Sequence, residues 1–129
     1  MSPQNTARSP CDSSWIEIVP GVCPGAGSTL RCSSSREAPG HTPGTISIQL
    51  ESHGERAVFC GDILHHALQV YRPHWNSFAC ADGEKARQSR RKVLEDCAAG
   101  ALLMPAHFGA PFACRIEHKD GGFVPRFVR

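Results

Sequence analysis

The segment Pro39-Gly40-His41-Thr42-Pro43-Gly44 is the most tightly constrained part of this 129-residue sequence. Two Pro and two Gly around one His predict a tight turn that leaves the imidazole projecting from the backbone. Residues 45–50 follow directly, and their alternation of polar and apolar side chains predicts a half-buried strand. We therefore expect a histidine on a rigid loop at the beginning of a strand.

Two further segments place a metal-ligand type just after a predicted strand. Residues 56–60 predict a central strand, paired as a hairpin with residues 45–50, that ends in Gly61-Asp62. Residues 101–104 predict a buried strand that His107 follows. A carboxylate after a buried strand is costly unless it is paired, hydrogen-bonded or bound to a metal. Taken alone, a single His at a strand end is more often a hydrogen-bonded structural residue than a ligand, and Gly-Asp after a strand is often an ordinary turn.

The remaining ordered sequence predicts one long helix and a terminal hairpin. Apolar residues and Arg90 recur at three- and four-residue steps across residues 82–99, with Asp82 as N-cap and Gly100 beyond the last turn. Its basic residues fall mainly on the outer face. Residues 114–118 and 122–128 predict a hairpin. Strands separated by a helix indicate an α/β fold.

The first part of the chain has a different composition. Ser, Pro and Gly make up nineteen of the first 44 residues, too many for a segment that must bury apolar surface to become ordered. Only residues 15–19 alternate well enough to predict a strand, and residues 23–36 are interpreted as irregular loop. We therefore predict an irregular leader over residues 1–37 and a domain over residues 38–129.

Composition excludes several classes of function. The formal charge of +2 is too small to favour a nucleic-acid partner, and no apolar run is long enough to span a bilayer. The start of the chain lacks the apolar region of a secretory signal. The seven cysteines are scattered, without a CxxC pair, which favours structural thiols in a reducing cytoplasm over a disulfide framework.

Taken together and in this order, GHTPG at residues 40–44, Gly61-Asp62 after a strand and His107 after the next strand resemble the metallo-β-lactamase-fold hydrolases. The resemblance is to the second half of that fold, and most to the branch of quorum-quenching lactonases and methyl-parathion-hydrolase-like enzymes. It implies an α/β architecture that is the C-terminal half of an αββα sandwich, incomplete. The family's HxHxDH motif is absent from this sequence, in which no His precedes His41.

The resemblance also implies roles for individual residues. His41 would be a terminal ligand of one metal, Asp62 would bridge two metals and act in catalysis, and His107 would be a terminal ligand of the second. The metal would be zinc, two ions per complete site. His65, three residues after the bridging position, would stabilise an oxyanion or protonate the leaving group, with a surface or supporting role as the alternative. Arg72 and Trp75 would contact the substrate.

The implied function is hydrolysis of an ester, lactone or similar bond in a small molecule by metal-activated hydroxide. Because three ligands cannot hold a tight two-metal site, we expect weak or partial zinc binding and little activity from this chain alone. One alternative is a non-catalytic remnant or interaction module. Another is a two-chain enzyme in which a partner supplies the missing half. A homo-oligomer is a further alternative. Neither nucleic acid nor a membrane is expected as a partner.

Overall fold

Six strands form one mixed sheet in the computed structural model, which describes residues 31–128. Two helices connect the third strand to the fourth. The elements are β1 (Arg31–Glu37), β2 (Ile46–Ser52), β3 (Glu55–Gly61), α1 (Leu68–Tyr71), α2 (Gly83–Ala98), β4 (Ala101–Pro105), β5 (Cys114–Lys119) and β6 (Gly122–Phe127).

The strands lie side by side in chain order, and only β3 and β4 are parallel. The predicted hairpins of β2 with β3 and of β5 with β6 are confirmed. The predicted central place of β3 and the helix-to-strand unit before β4 are also confirmed. Because β3 and β4 run in the same direction, the segments that follow them leave the sheet at the same edge.

Strand β1 corrects one prediction from the sequence. The interpretation of residues 23–36 as irregular loop is wrong over residues 31–36, which pair antiparallel with β2 as part of β1. A Ser-rich segment has little apolar surface of its own, but the free edge of β2 offers it a full row of backbone partners. The predicted strand at residues 15–19 and the rest of the leader lie outside the described residues, so the division at residue 37 stays a prediction.

Helix α2 covers one face of the sheet and packs against β3, β4 and β5. The predicted N-cap is confirmed, because the Asp82 carboxylate accepts hydrogen bonds from the backbone N–H groups of Glu84 and Lys85. The inner face of α2 meets a buried apolar cluster that includes Leu94, Leu103 and Ile116.

The opposite face of the sheet is only partly buried. Ile46 and Phe59 are 39% and 38% exposed, and Leu102 and Met104 continue the same apolar strip on β4. No element among residues 31–128 packs over this strip, which we call the open face. The described part of the chain contains no helix with the length and apolarity needed to cross a bilayer.

Candidate metal centre

Three loops meet at one edge of the sheet and bring His41, Asp62 and His107 together. His41 lies between β1 and β2, Asp62 follows β3, and His107 follows β4. Since β2 runs antiparallel to β3, the beginning of β2 lies beside the end of β3, so the His41 loop shares the edge with the other two. The structure thus places at one edge three side chains that the resemblance assigns to one metal site.

The backbone of the His41 loop packs against the first turns of α2 and is hydrogen-bonded to them. A Cβ on Gly40 would lie 2.1 Å from the backbone nitrogen of Ala86, and the φ of Gly40 is +140°. Only glycine allows such an approach. The Asp82 N–H donates to the Gly40 carbonyl over 2.9 Å, and the Ser89 hydroxyl donates to the Pro39 carbonyl over 2.7 Å. Gly40 therefore allows the loop to pack closely on α2 as well as to form the turn.

Asp62 is the electrostatic centre of the cluster. Its Oδ1 lies 2.5 Å from Nε2 of His107, a short hydrogen bond, and its Oδ2 lies 3.7 Å from Nε2 of His41. The hydrogen bond with His107, together with the positive charge that His41 and His107 can carry, lowers the pKa of the Asp62 carboxyl. Asp62 is thus a carboxylate at neutral pH, held between two imidazoles.

His65 joins the same cluster. Its ring lies 4.9 Å from the His41 ring, measured between centroids, and stacks on the His107 ring at 5.3 Å. Both ring nitrogens of His65 are buried and have no hydrogen-bond partner in the described part of the chain. Burial, reinforced by the neighbouring histidines, lowers its pKa and favours the neutral ring.

The residue types of this cluster suit a metal ion. Ligand atoms of His41, Asp62 and His65 lie within 4.8 Å of one another, a limit wider than the spacing of about 3.4 Å between two ligands on one tetrahedral zinc. The buried Nδ1 of His41 and both ring nitrogens of His65 lack partners within residues 31–128, and imidazole and carboxylate are ligand types that zinc accepts. His107 instead lies at hydrogen-bonding distance from Asp62, too close for both to bind one ion in this arrangement. The predicted ligand roles stay predictions.

Arg72 and Trp75 are not brought into the cluster. Both side chains are exposed, and neither forms a hydrogen bond, ion pair or ring contact with the four clustered residues in the described chain. The Arg72 guanidinium donates to the adjacent Tyr71 carbonyl, and the Trp75 ring lies edge-on to His74. Their predicted contact with substrate stays a prediction.

Two buried polar residues behind the cluster were not predicted from the sequence to belong to the site. The buried amide of Gln69 accepts a hydrogen bond from the His65 N–H over 2.7 Å. Arg90 of α2 is completely buried and donates to the Ile63 carbonyl over 3.0 Å. One signal was present in the sequence, because an arginine at an inner-face position of an amphipathic helix indicates a buried cation with specific acceptors.

The chain belongs to the metallo-beta-lactamase superfamily, whose family model matches residues 3–107. The match includes the GHTPG segment, Asp62 and His107, and it begins within the predicted leader. The sequence-based resemblance is thereby confirmed, as is the assignment of the fold to part of that sandwich. A search of curated protein sequences gives no match.

Solved structures support the same conclusion. The dizinc quorum-quenching lactonase AidC, solved with a product, is 26% identical to this chain, with a TM-score of 0.69. The hydrolase AbOPH of the beta-lactamase superfamily is 29% identical, with a TM-score of 0.70. A probable metal-dependent hydrolase from Staphylococcus aureus, 21% identical with a TM-score of 0.58, supports the fold alone. Each match covers 74% of this chain and 33%, 34% and 35% of the respective relative, so the chain spans about a third of their length.

Proposed function

We propose that this chain supplies metal ligands to a zinc-dependent hydrolase that cleaves an ester, lactone or similar bond in a small molecule. The observation that carries the proposal is the convergence of three imidazoles and one carboxylate, from loops far apart in sequence, at one edge of the sheet. Membership of the superfamily supports the reaction class, and the likeness to a dizinc lactonase supports the bond type.

The chemistry of the donors assigns each residue its part. Zinc, when bound, polarises a carbonyl or phosphoryl oxygen and lowers the pKa of water towards neutrality. His41 and Asp62 would hold it from the loops fastened to the sheet, and His107 would serve a second ion once it separates from Asp62. His65, with both ring nitrogens unpartnered among the described residues, is available as a further ligand or as a hydrogen-bond donor to a substrate oxygen.

Activity of this chain alone is expected to be low. The sequence has no HxHxDH motif, so we propose that other ligands come from a polypeptide segment beyond this sequence that packs on the open face, whether in a second chain or in a longer one.

Of the described cysteines, Cys60, Cys97 and Cys114 are free and buried, and burial raises the pKa of each thiol. Such unreactive thiols support a reducing, cytoplasmic compartment.

The second candidate function is a non-catalytic remnant. The 2.5 Å hydrogen bond between Asp62 and His107 favours it, because each side chain then has a partner without a metal. In a remnant this pair would serve the fold alone.

Zinc content distinguishes the two candidates. The purified full chain would be dialysed against zinc, and its zinc content and affinity measured with a competing chelator. We expect weak but specific binding that His41→Gln and Asp62→Asn each reduce at least about tenfold. His118→Gln is the matched control, because His118 is exposed on β5 and its ring contacts only Phe123 among the described rings.

Three outcomes would decide the matter. Absence of zinc binding by the wild-type chain would support the remnant. Equal losses in the His118 and His41 variants would refute the proposed site. Rapid ester or lactone hydrolysis by the zinc-loaded chain alone would contradict the need for further ligands.

A further inference from the structure

Arg90 is completely buried on the inner face of α2, yet it forms no ion pair with a carboxylate in residues 31–128. Two of its three nitrogens donate to neutral acceptors, whereas the buried Nη2 has no hydrogen-bond partner in residues 31–128. Nε donates to the Ile63 carbonyl over 3.0 Å, and Nη1 donates to the carbonyls of Pro73 and Trp75 over 2.7 and 2.8 Å and to the Asn76 side-chain oxygen over 3.3 Å. Burying a cation among neutral groups is costly, and desolvation lowers the pKa of Arg90. Ordinary core packing does not require such a residue.

The groups that accept hydrogen bonds from Arg90 connect it to the metal-ligand cluster. Ile63 is the residue after Asp62, so the Nε bond fixes the backbone that carries the carboxylate. The Trp75 carbonyl that accepts from Arg90 also accepts from the Gln69 side chain, over 2.9 Å. The other end of that side chain accepts from the His65 N–H. The guanidinium of Arg90 is therefore hydrogen-bonded directly to Ile63, and it is linked to His65 through the Trp75 carbonyl and the Gln69 side chain.

We propose that Arg90 is a positioning residue for the metal centre, which it fixes through Ile63 on one side and through the Trp75 carbonyl and Gln69 on the other. We call these hydrogen bonds the Arg90 relay. The inference rests on the proposed function, since it assigns the relay the task of holding Asp62 and His65 in place for zinc. The relay touches neither substrate nor metal.

The geometry explains why the residue is an arginine. A planar guanidinium presents donors in fixed directions, so one side chain can bond to two separate loops at once. Lysine offers a single nitrogen, which can reach one loop or the other, and methionine of similar length offers no donor. Because Arg90 projects from a sixteen-residue helix, the loops take their position from a rigid element instead of from each other.

Hydrogen exchange on the metal-free chain tests the relay without any use of activity. In Arg90→Met we expect the His65 amide to exchange at least tenfold faster, relative to amides of the β5–β6 hairpin, than in the wild type. Leu94→Ala, one turn further along the same buried face, is the control for general destabilisation. It should speed exchange broadly without singling out His65. A folded Arg90→Met chain with wild-type protection at His65 would overturn the proposal.

Zinc affinity and a conservative variant provide the second arm. Zinc affinity should fall at least tenfold in Arg90→Met, less in Arg90→Lys, and less than twofold in Leu94→Ala. Equal zinc affinity of folded Arg90→Met and wild type would overturn the assigned task. If the wild type binds no zinc while the exchange effect at His65 persists, the proposed function fails and the positioning of the turn stands.

A further variant keeps the inference testable if Arg90→Met does not fold. Gln69→Met cuts the link between the Trp75 carbonyl and the His65 N–H and leaves Arg90 in place. We expect shifted imidazole resonances of His65 in the metal-free chain, with the β5–β6 signals unchanged. Unshifted His65 resonances would refute the relay.

Discussion

Apolar side chains lie on both faces of the sheet, but within residues 31–128 only the face under α2 is covered by a helix. Cys60 of β3 and Leu103 of β4 point into that face and are completely buried. On the open face, Phe59 of β3 stays 38% exposed. Successive strand residues point to opposite sides, so this contrast arises between immediate neighbours in sequence. Within the described part of the chain, the same strands thus contribute fully buried core residues on one side and partly exposed apolar residues on the other.

The candidate metal centre is supported by the face that α2 covers. The His41 loop packs on α2 through Gly40, and the turn after Asp62 is bonded to Arg90 of the same helix. His107, by contrast, is exposed, and among the described residues its side chain forms a hydrogen bond with Asp62 alone and a ring contact with His65 alone. Helix α2 therefore positions the side of the site that carries His41 and Asp62. Among the described residues, no hydrogen bond from α2 reaches the His107 side.

The largest expected effect comes from breaking the contact between the His41 loop and α2. Gly40→Ala would place a methyl group 2.3 Å from the Ala86 Cα and would also force a non-glycine residue to a φ of +140°. We expect a loss of about 3 kcal/mol or more in the free energy of unfolding, measured by urea denaturation. Gly44→Ala is the matched control, since a Cβ there meets nothing within 4 Å. Similar losses in both variants would show that the loop does not pack tightly on α2.

A second pair of variants compares the two faces directly. Leu94→Ala empties a completely buried position of the core and should lower the free energy of unfolding by about 2–5 kcal/mol. Phe59→Ala removes a larger side chain from the open face, but we expect a loss of only about 1 kcal/mol, since more than a third of Phe59 is already exposed. Equal losses in urea denaturation would mean that the open face is covered in solution.

The features predicted correctly from the sequence are those fixed by local pattern. The alternation after Gly44 predicted β2, and the apolar spacing with Asp82 predicted α2 and its cap. That Asp62 and His107 belong to one site was implied only by the resemblance to the family. Strand β1 could not be predicted, because its Ser-rich sequence becomes a strand only through pairing with β2. The hydrogen bonds of Arg90 are likewise tertiary, since its acceptors lie 14 to 27 residues away.

A smaller effect than that of Leu94→Ala is expected at the point where α2 begins, which joins the covered face to the His41 loop. The Asp82 carboxylate caps the helix. Its pKa is held below 3.8 mainly by the hydrogen bond from the backbone N–H of Lys85, and to a smaller extent by the hydrogen bond from the Lys85 side chain. Asp82→Ala should lower the free energy of unfolding, though by less than Leu94→Ala, and leave Gly40 bonded to the backbone at residue 82.

The dependence of this effect on pH has a definite sign. A carboxyl whose pKa is lower in the folded chain stabilises it fully above the unfolded pKa of 3.8, and the contribution is lost as the pH falls through the folded value. The difference between wild type and Asp82→Ala in urea denaturation should therefore be constant near neutral pH and shrink in acid. Asp82→Ser, which keeps a capping oxygen without a titrating group, should retain part of the stability and show none of this shrinkage relative to Asp82→Ala. A wild-type advantage that persisted unchanged in acid would show that the charge of Asp82 has no part in the cap.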